Sequence, residues 1–195
     1  MSGNTQVLKK PLSRVGRRPV LIPKGVEVQI KDAQMTVKGP KGSAVVPIHP
    51  EVHVTLADNS VTVSPLSDDH KHRALHGLTR SLINNAVIGV TQGYRKSVEV
   101  RGVGYRAQQS GKGVTLAVGY SHPVEMQPPD GVAITVEGTN FIHISGADKQ
   151  KVGEMAARIR AVRSPSPYME KGLRYVGETP RTKPGKRAAS AGGQQ

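Results

Sequence analysis

The sequence presents one order of secondary-structure signals twice, and this duplication is the strongest constraint on its fold. Residues 52–56 and 132–136 alternate apolar and other side chains, and so do residues 61–64 and 142–145 after an intervening turn. The copies are 80 positions apart before the turn and 81 after it. A period of two predicts strands with one buried face. We therefore predict an α+β fold of two internally duplicated domains, each an antiparallel sheet with one helix packed on a face.

A helical pattern follows each pair of strand signals. In the first copy, the apolar residues at helical spacing are Leu75, Leu78, Leu82 and Ala86. In the second copy they are Val152, Met155, Ala156, Ile159 and Val162. Ser67 or Asp68 is available to cap the first helix, and Asp148 lies near the start of the second. Further strand-like runs cover residues 26–30, 35–37, 98–105 and 114–120.

The positive charge is concentrated at the two ends of the chain. Residues 1–24 carry a net charge of +6, residues 25–150 carry +1 and residues 151–195 carry +7. Lysine and arginine that meet phosphates release condensed counterions, so basic ends of this kind favour a polyanionic partner. Anionic lipid would attract the same charges, but neither end has the apolar face that an interfacial helix needs. Nucleic acid is the better-supported partner.

These patterns divide the chain into four segments. We predict a basic N-terminal arm at residues 1–24, a first α+β domain at 25–91, a second at 92–163 and a basic C-terminal extension at 164–195. Prolines and glycines interrupt the extension, which carries little apolar material. We expect the extension to become ordered only on a partner.

Composition excludes several classes of protein. The chain has no cysteine, which excludes a disulfide framework, a thiolate metal site and a cysteine nucleophile. No stretch approaches the roughly 18–20 consecutive apolar residues of a membrane helix. No apolar segment follows the basic opening residues, so we do not expect a secretory signal.

One histidine cluster raises the question of a metal. On a helix, Asp69, His72 and His76 would share one face, as zinc ligands do. Lys71 and Arg73 flank them and would repel a dication, and no fourth ligand is evident. We predict no metal site, no cofactor and no enzymatic activity. A metal-dependent hydrolase acting on nucleic acid through these three residues is the alternative.

Residues 102–107, with the sequence GVGYRA, match a relaxed dinucleotide-binding pattern. That pattern functions only where a helix begins and directs its N-terminus at pyrophosphate. Here the following residues lead into another predicted strand. The glycines are therefore interpreted as marking a strand bend or a close backbone approach.

Aromatic residues are too few for a base-stacking surface. The chain has five tyrosines, one phenylalanine and no tryptophan. Phe141 lies in a strand-like run, and we predict that it belongs to the core. Contacts to nucleic acid should then go mainly to phosphates and to folded shape. Tyr168 and Tyr175 lie among basic residues, and they either contact nucleic acid or fix the tail to the second domain.

Seven motifs resemble one known family, and they occur in the same order from about Leu12 to about Lys186. They are residues 12–19 (LSRVGRRP), 37–42 (VKGPKG), 72–80 (HRALHGLTR), 102–107 (GVGYRA), 119–124 (GYSHPV), 148–153 (DKQKVG) and 168–175 (YMEKGLRY). The family is the bacterial-type sixth protein of the large ribosomal subunit. Two features depart from its pattern: residues 1–10 extend beyond the usual start, and Met169 and Glu170 stand where a basic and a small residue are expected.

The resemblance implies a non-catalytic constituent of the large ribosomal subunit in the cytoplasm. It implies binding to large-subunit ribosomal RNA (rRNA) near the sarcin–ricin loop and the stalk base, beside neighbouring ribosomal proteins. The segment at residues 168–175 is the one that the family uses against RNA.

Charge and resemblance together predict the residues that bind rRNA. From the N-terminal side they are Arg14, Arg17 and Arg18. From the C-terminal side they are Arg158, Arg160, Arg163, Tyr168, Lys171, Gly172, Arg174, Tyr175, Arg181, Lys183, Lys186 and Arg187.

Overall fold

In this computed structural model, the described residues are 13–31, 33–57, 59–67 and 69–183. They fall into two compact units. The first runs to Tyr94 and includes Ala147–Lys149, and the second comprises the remaining residues from Arg95 onward.

The first unit contains six strands and one long helix. They are β1 (Val20–Leu21), β2 (Glu27–Lys31), β3 (Gln34–Gly39), β4 (Gly42–Pro47), β5 (Val52–Ala57), β6 (Ser60–Pro65) and α1 (His70–Thr91). The strands form two antiparallel sheets with the orders β1-β6-β5 and β2-β3-β4.

One face of each sheet supplies the core of the first unit. Met35 and Val37 on β3 are fully buried, and so is Val61 on β6. They pack in one cluster with buried residues of α1, among them Ile83 and Val90. The alternation of buried and exposed positions along β3 and β6 explains why residues of this pattern form strands here.

The first helix forms where the apolar spacing predicts it, but its buried face is offset from the leucines. The helix buries His76, Thr79, Ile83, Ala86, Val87, Gly89 and Val90. Leu78 is exposed, and Leu75 and Leu82 are only partly buried at the margin of the core. Ser67 makes no side-chain cap of the usual kind: its hydroxyl group bonds the ring of His72 at 2.7 Å.

The second unit contains seven further strands and one helix. They are β7 (Tyr94–Arg101), β8 (Arg106–Ser110), β9 (Gly113–Ala117), β10 (Val124–Met126), β11 (Val132–Glu137), β12 (Phe141–Gly146), α2 (Lys149–Val162) and β13 (Gly172–Tyr175). These strands form a four-stranded sheet, β11-β12-β7-β13, and a three-stranded sheet, β10-β9-β8.

The structure confirms the internal duplication. In the first unit the hairpin β5–β6 pairs Val54 with Val63, and in the second the hairpin β11–β12 pairs Ile134 with Ile144. Each hairpin is followed by a helix whose apolar face is buried. The predicted α+β architecture is therefore correct.

Three details of the second unit differ from expectation. The predicted strand at residues 98–105 ends at Arg101, because Gly102 and Gly104 adopt positive φ angles of 138° and 80° and turn the chain. The predicted strand at residues 114–120 likewise ends at Ala117. Phe141 was predicted in the core, but its side chain is 39% exposed. The next residue, Ile142, is fully buried, since successive residues of a strand point to opposite faces.

The C-terminal segment is part of the second unit rather than an unstructured extension. Gly172–Tyr175 pairs with β7 in antiparallel register, with Leu173 opposite Val100. The side chain of Leu173 is fully buried, and its N–H group donates to the carbonyl oxygen of Arg163 at 2.8 Å. The expectation that this part of the tail orders only on a partner is wrong.

We expect Leu173→Ala to destabilise the protein by about 2–5 kcal/mol, because it leaves a cavity beside β7. Urea unfolding followed by circular dichroism measures the change in the free energy of unfolding. Val176→Ala is the matched control, since Val176 is 53% exposed and its truncation should cost less than about 0.5 kcal/mol. Equal stability of the two variants would show that β13 does not belong to the core.

Candidate nucleic-acid interface

The three N-terminal arginines lie on an ordered turn rather than on a free arm. Arg14, Arg17 and Arg18 are exposed, while Gly16 between them is buried. The N–H group of Arg17 donates to the carbonyl oxygen of Ser13 at 3.2 Å. The side-chain Nε of Arg80, on α1, donates to the carbonyl oxygen of Arg18 at 3.1 Å. The helix therefore holds this turn by its backbone and leaves the three guanidinium groups in solvent.

A glycine–histidine contact closes the same turn onto the helix. A Cβ atom at Gly16 would lie 2.5–2.6 Å from three ring atoms of His76. Only glycine therefore fits where the backbone passes the imidazole ring. The φ angle of Gly16 is not positive, so close approach and not backbone strain requires it. His76 is 3% exposed, and among the described residues neither ring nitrogen has a hydrogen-bond partner. Its role in this contact is to pack.

The histidine cluster does not assemble into a metal site. His72 bonds Ser67 through Nδ1 at 2.7 Å, and its Nε2 lies 3.4 Å from the carboxylate of Glu51. His76 is covered by the turn that carries Gly16. Within the part of the chain that the structure describes, no group of three histidine, aspartate or glutamate side chains could hold a metal ion. The alternative of a metal-dependent hydrolase gains no support from this geometry.

Three of the C-terminal arginines make ion pairs within the second unit. Arg160 forms two hydrogen bonds to Glu178, at 3.1 and 2.6 Å. Arg174 binds Glu99 at 2.9 Å. Arg158 pairs with Glu154 one helical turn earlier, on the exposed face of α2. Their charges are therefore partly neutralised by the protein itself.

These pairs change the acidity of the two glutamates. The Arg160 guanidinium, assisted by the N–H group of Tyr175, holds the pKa of Glu178 below its ordinary value. Burial alone would raise the pKa of Glu99, but the hydrogen bonds from Arg174 and Arg101 outweigh it and lower the pKa. Both carboxylates thus stay charged and keep their arginines in place.

Two residues of the C-terminal motif are packed against the protein. Gly172 is buried, and a Cβ atom there would lie 2.5 Å from the Cα atom of Pro165. Two cations lie against the ring of Tyr175, with the Lys96 ammonium 5.0 Å and the Arg160 guanidinium 5.5 Å from its centroid. Tyr175 therefore fixes the tail to the second unit, one of the two roles that its position allows.

The remaining predicted residues face solvent. Tyr168 is 62% exposed. The other exposed members of the set are Arg163, Lys171, Arg181 and Lys183. Lys186 and Arg187 lie outside the described residues. The described cations predicted to bind rRNA thus fall into two groups. Some are exposed and available to phosphate, and the others are arginines that already form ion pairs with glutamates.

Sequence reasoning missed the acidic partners of these arginines. Glu99 is 75 positions from Arg174, and Glu178 is 18 positions from Arg160. No local pattern links residues so far apart, because β13 brings them together only when it pairs with β7.

None of the described helices is both long and apolar enough to cross a membrane.

Comparison with known proteins now identifies the family. The family model described as ribosomal protein L6 matches residues 22–93 and 101–176, one match in each unit. The chain belongs to the ribosomal protein L6 family. The resemblance found in the sequence motifs is confirmed.

Curated members of the ribosomal protein L6 family cover almost the whole chain. A protein of Carboxydothermus hydrogenoformans is 52% identical over 175 residues, which are 90% of this chain and 96% of that protein. One from Thermus thermophilus is 49% identical over 178 residues, or 91% and 99% of the two chains. One from Caldicellulosiruptor saccharolyticus is 52% identical over 184 residues, or 94% and 100%. Each is named large ribosomal subunit protein uL6.

We expect Gly16→Ala to destabilise the first unit by about 1–3 kcal/mol, because the new methyl group collides with the His76 ring. His76→Ala removes the obstacle. The double variant should therefore lose at least about 0.5 kcal/mol less than the sum of the two single variants. Urea unfolding of the four proteins completes the cycle.

Gly153→Ala is the matched glycine control for this cycle. A Cβ atom at Gly153 in α2 would have no neighbour within 4 Å. This variant should gain about 0.5–1 kcal/mol from helix propensity. Additive effects of Gly16→Ala and His76→Ala would contradict the proposed contact.

Proposed function

We propose that this protein binds large-subunit rRNA near the sarcin–ricin loop and the base of the stalk. As a member of the ribosomal protein L6 family it is a structural component of the ribosome and not an enzyme, and it works in the cytoplasm as part of the large subunit. The position near the sarcin–ricin loop rests on the motifs of residues 12–19 and 168–175, which resemble those of the family.

One observation carries the proposal of RNA binding. Within the two basic ends of the chain, exposed cations lie on elements that the fold holds in place: the turn of residues 13–18 and the loop around Lys171. Residues 25–150 are nearly neutral, with a net charge of +1. Cations that are ordered before binding lose less conformational entropy when they meet phosphates, which favours a tight contact.

The ion pairs indicate that the predicted residues have two different roles, phosphate binding and support of the local conformation. Exposed cations such as Arg14, Arg17 and Lys171 neutralise phosphates directly. Arg160 and Arg174 hold β13 and the loop before it in the conformation that presents Lys171. A contact of each individual residue with RNA stays a prediction.

The triple substitution of Arg14, Arg17 and Arg18 by alanine tests the N-terminal surface. The slope of log affinity against log salt concentration should become shallower by about two to three units, since each lost phosphate contact removes about one. Filter binding of the full chain to purified large-subunit rRNA, between about 50 and 200 mM salt, measures that slope.

The matched control removes the same charge elsewhere in the first unit. Lys31, Lys38 and Lys71 are exposed, and their triple alanine variant should retain the slope of the unsubstituted chain. Equal losses in the two triple variants would mean that net charge alone drives binding, and the assignment of the turn would be wrong.

Directed cleavage of rRNA tests the position near the sarcin–ricin loop. The chain has no cysteine, so Thr182→Cys creates a single site for an iron chelate beside the C-terminal loop. Large subunits reconstituted with this protein should show hydroxyl-radical cleavage in the sarcin–ricin loop. Gln34→Cys, at an exposed position of the first unit, provides the control for the specificity of the cuts. Cleavage confined to other rRNA regions would overturn the location but leave the ribosomal role intact.

A further inference from the structure

The turn between β7 and β8 exposes an apolar side chain that the core does not use. Val103 is 92% exposed, more than any other large apolar side chain among the described residues. The turn around it is fixed: the N–H group of Tyr105 donates to the carbonyl oxygen of Gly102 at 3.1 Å. The chain thus presents an isopropyl group to solvent on a well-defined support.

The ring of Tyr105 anchors this turn against the rest of the second unit. A Cβ atom at either Gly102 or Gly119 would lie 3.2 Å from that ring, so two glycines make room for it. Both glycines adopt positive φ angles, 138° and 79°, which residues with a side chain rarely adopt. The position of Val103 therefore depends on backbone that only glycine readily supplies.

Two cations lie beside the turn. The guanidinium of Arg163 is 5.3 Å from the centroid of the Tyr120 ring, and the hydroxyl groups of Tyr120 and Tyr105 raise its pKa. Lys171 runs past Gly102, with its Cγ atom 3.4 Å from where a Cβ atom would stand. We call Val103, Tyr105, Tyr120, Arg163 and Lys171 the glycine-turn patch.

The tyrosines of the glycine-turn patch are poorly placed to stack on bases. Arg163 covers one face of Tyr120, whose hydroxyl group donates to the carbonyl oxygen of Val162 at 2.8 Å. The ring of Tyr105 is held against the two glycines. Proteins that bind single-stranded RNA stack its bases on free aromatic faces. This surface lacks such faces and therefore fits an RNA duplex better than a single strand.

We propose that the glycine-turn patch binds the minor groove of a double-stranded rRNA helix. The minor groove of A-form RNA is wide and shallow and displays riboses and 2′-hydroxyl groups. Val103 lies against the ribose edges, and Arg163 and Lys171 neutralise nearby phosphates. The inference rests on the proposed function, because it assigns a substructure of rRNA to one surface of the second unit.

Val103→Ser tests the apolar contact in the full chain. Binding to purified large-subunit rRNA should weaken about three- to tenfold, because one buried isopropyl group is lost. The salt slope should stay the same, whereas Lys171→Ala should make it shallower by about one unit. Val176→Ser is the matched control: Val176 is 53% exposed in the same unit, and its variant should bind like the unsubstituted chain.

Competition identifies the form of RNA. A duplex of about 16 base pairs, the span of a known duplex-binding module, should displace labelled rRNA more effectively than its separated single strand. Superior competition by the single strand would overturn the inference.

The outcomes separate this inference from the proposed function. If the unsubstituted chain binds rRNA and Val103→Ser binds equally well, the groove contact is wrong and the proposed function stands. A shallower salt slope in Val103→Ser would also overturn it, since phosphate contacts would then depend on the turn. If the unsubstituted chain does not bind rRNA, the proposed function fails and the inference fails with it.

Discussion

The packing of one apolar helix face against a hairpin is the interaction on which the rest of the structure depends. In the first unit, α1 covers a core that contains the buried side chains of β3 and β6. In the second, α2 buries Val152, Met155, Ala156 and Ile159. Burial of this kind supplies most of the stability of small domains, since the helices alone would be marginal in water. Each helix then acts as a fixed support for a basic segment.

The two copies use their helices differently. Near its start, α1 receives the turn of residues 13–18 through the contact between His76 and Gly16. At its end, α2 leads into a loop that returns as β13, held by the Arg174–Glu99 and Arg160–Glu178 pairs. Losing one member of an ion pair that is partly shielded from solvent leaves the other charge without compensation, which is costly, and these two pairs connect distant parts of the chain. Duplication provided two scaffolds, and different flanking segments gave each one its own basic surface.

Much of the fold could be predicted from the sequence, because period-two and helical patterns are local. The pairs β5–β6 and β11–β12 and both helices were predicted from such patterns. The strand β13 was missed, since its four residues offer only Leu173 as a buried apolar side chain and follow a proline-rich stretch. The predicted face of Phe141 was wrong by one position, which in a strand reverses inside and outside. The arginine pairs could not be predicted, because tertiary structure alone joins their members.

The place of β13 at one end of the β11-β12-β7-β13 sheet also has a consequence for biosynthesis. Chains fold as they are made, with the N-terminal portions first. The first unit can close early, except for the short segment Ala147–Lys149 that it takes from later in the chain. The second sheet gains β13 only after residues 172–175 have left the synthesising machinery, later than all its other strands. A product that terminates before residue 172 would therefore lack both the last strand of this sheet and the ion pair between Arg174 and Glu99.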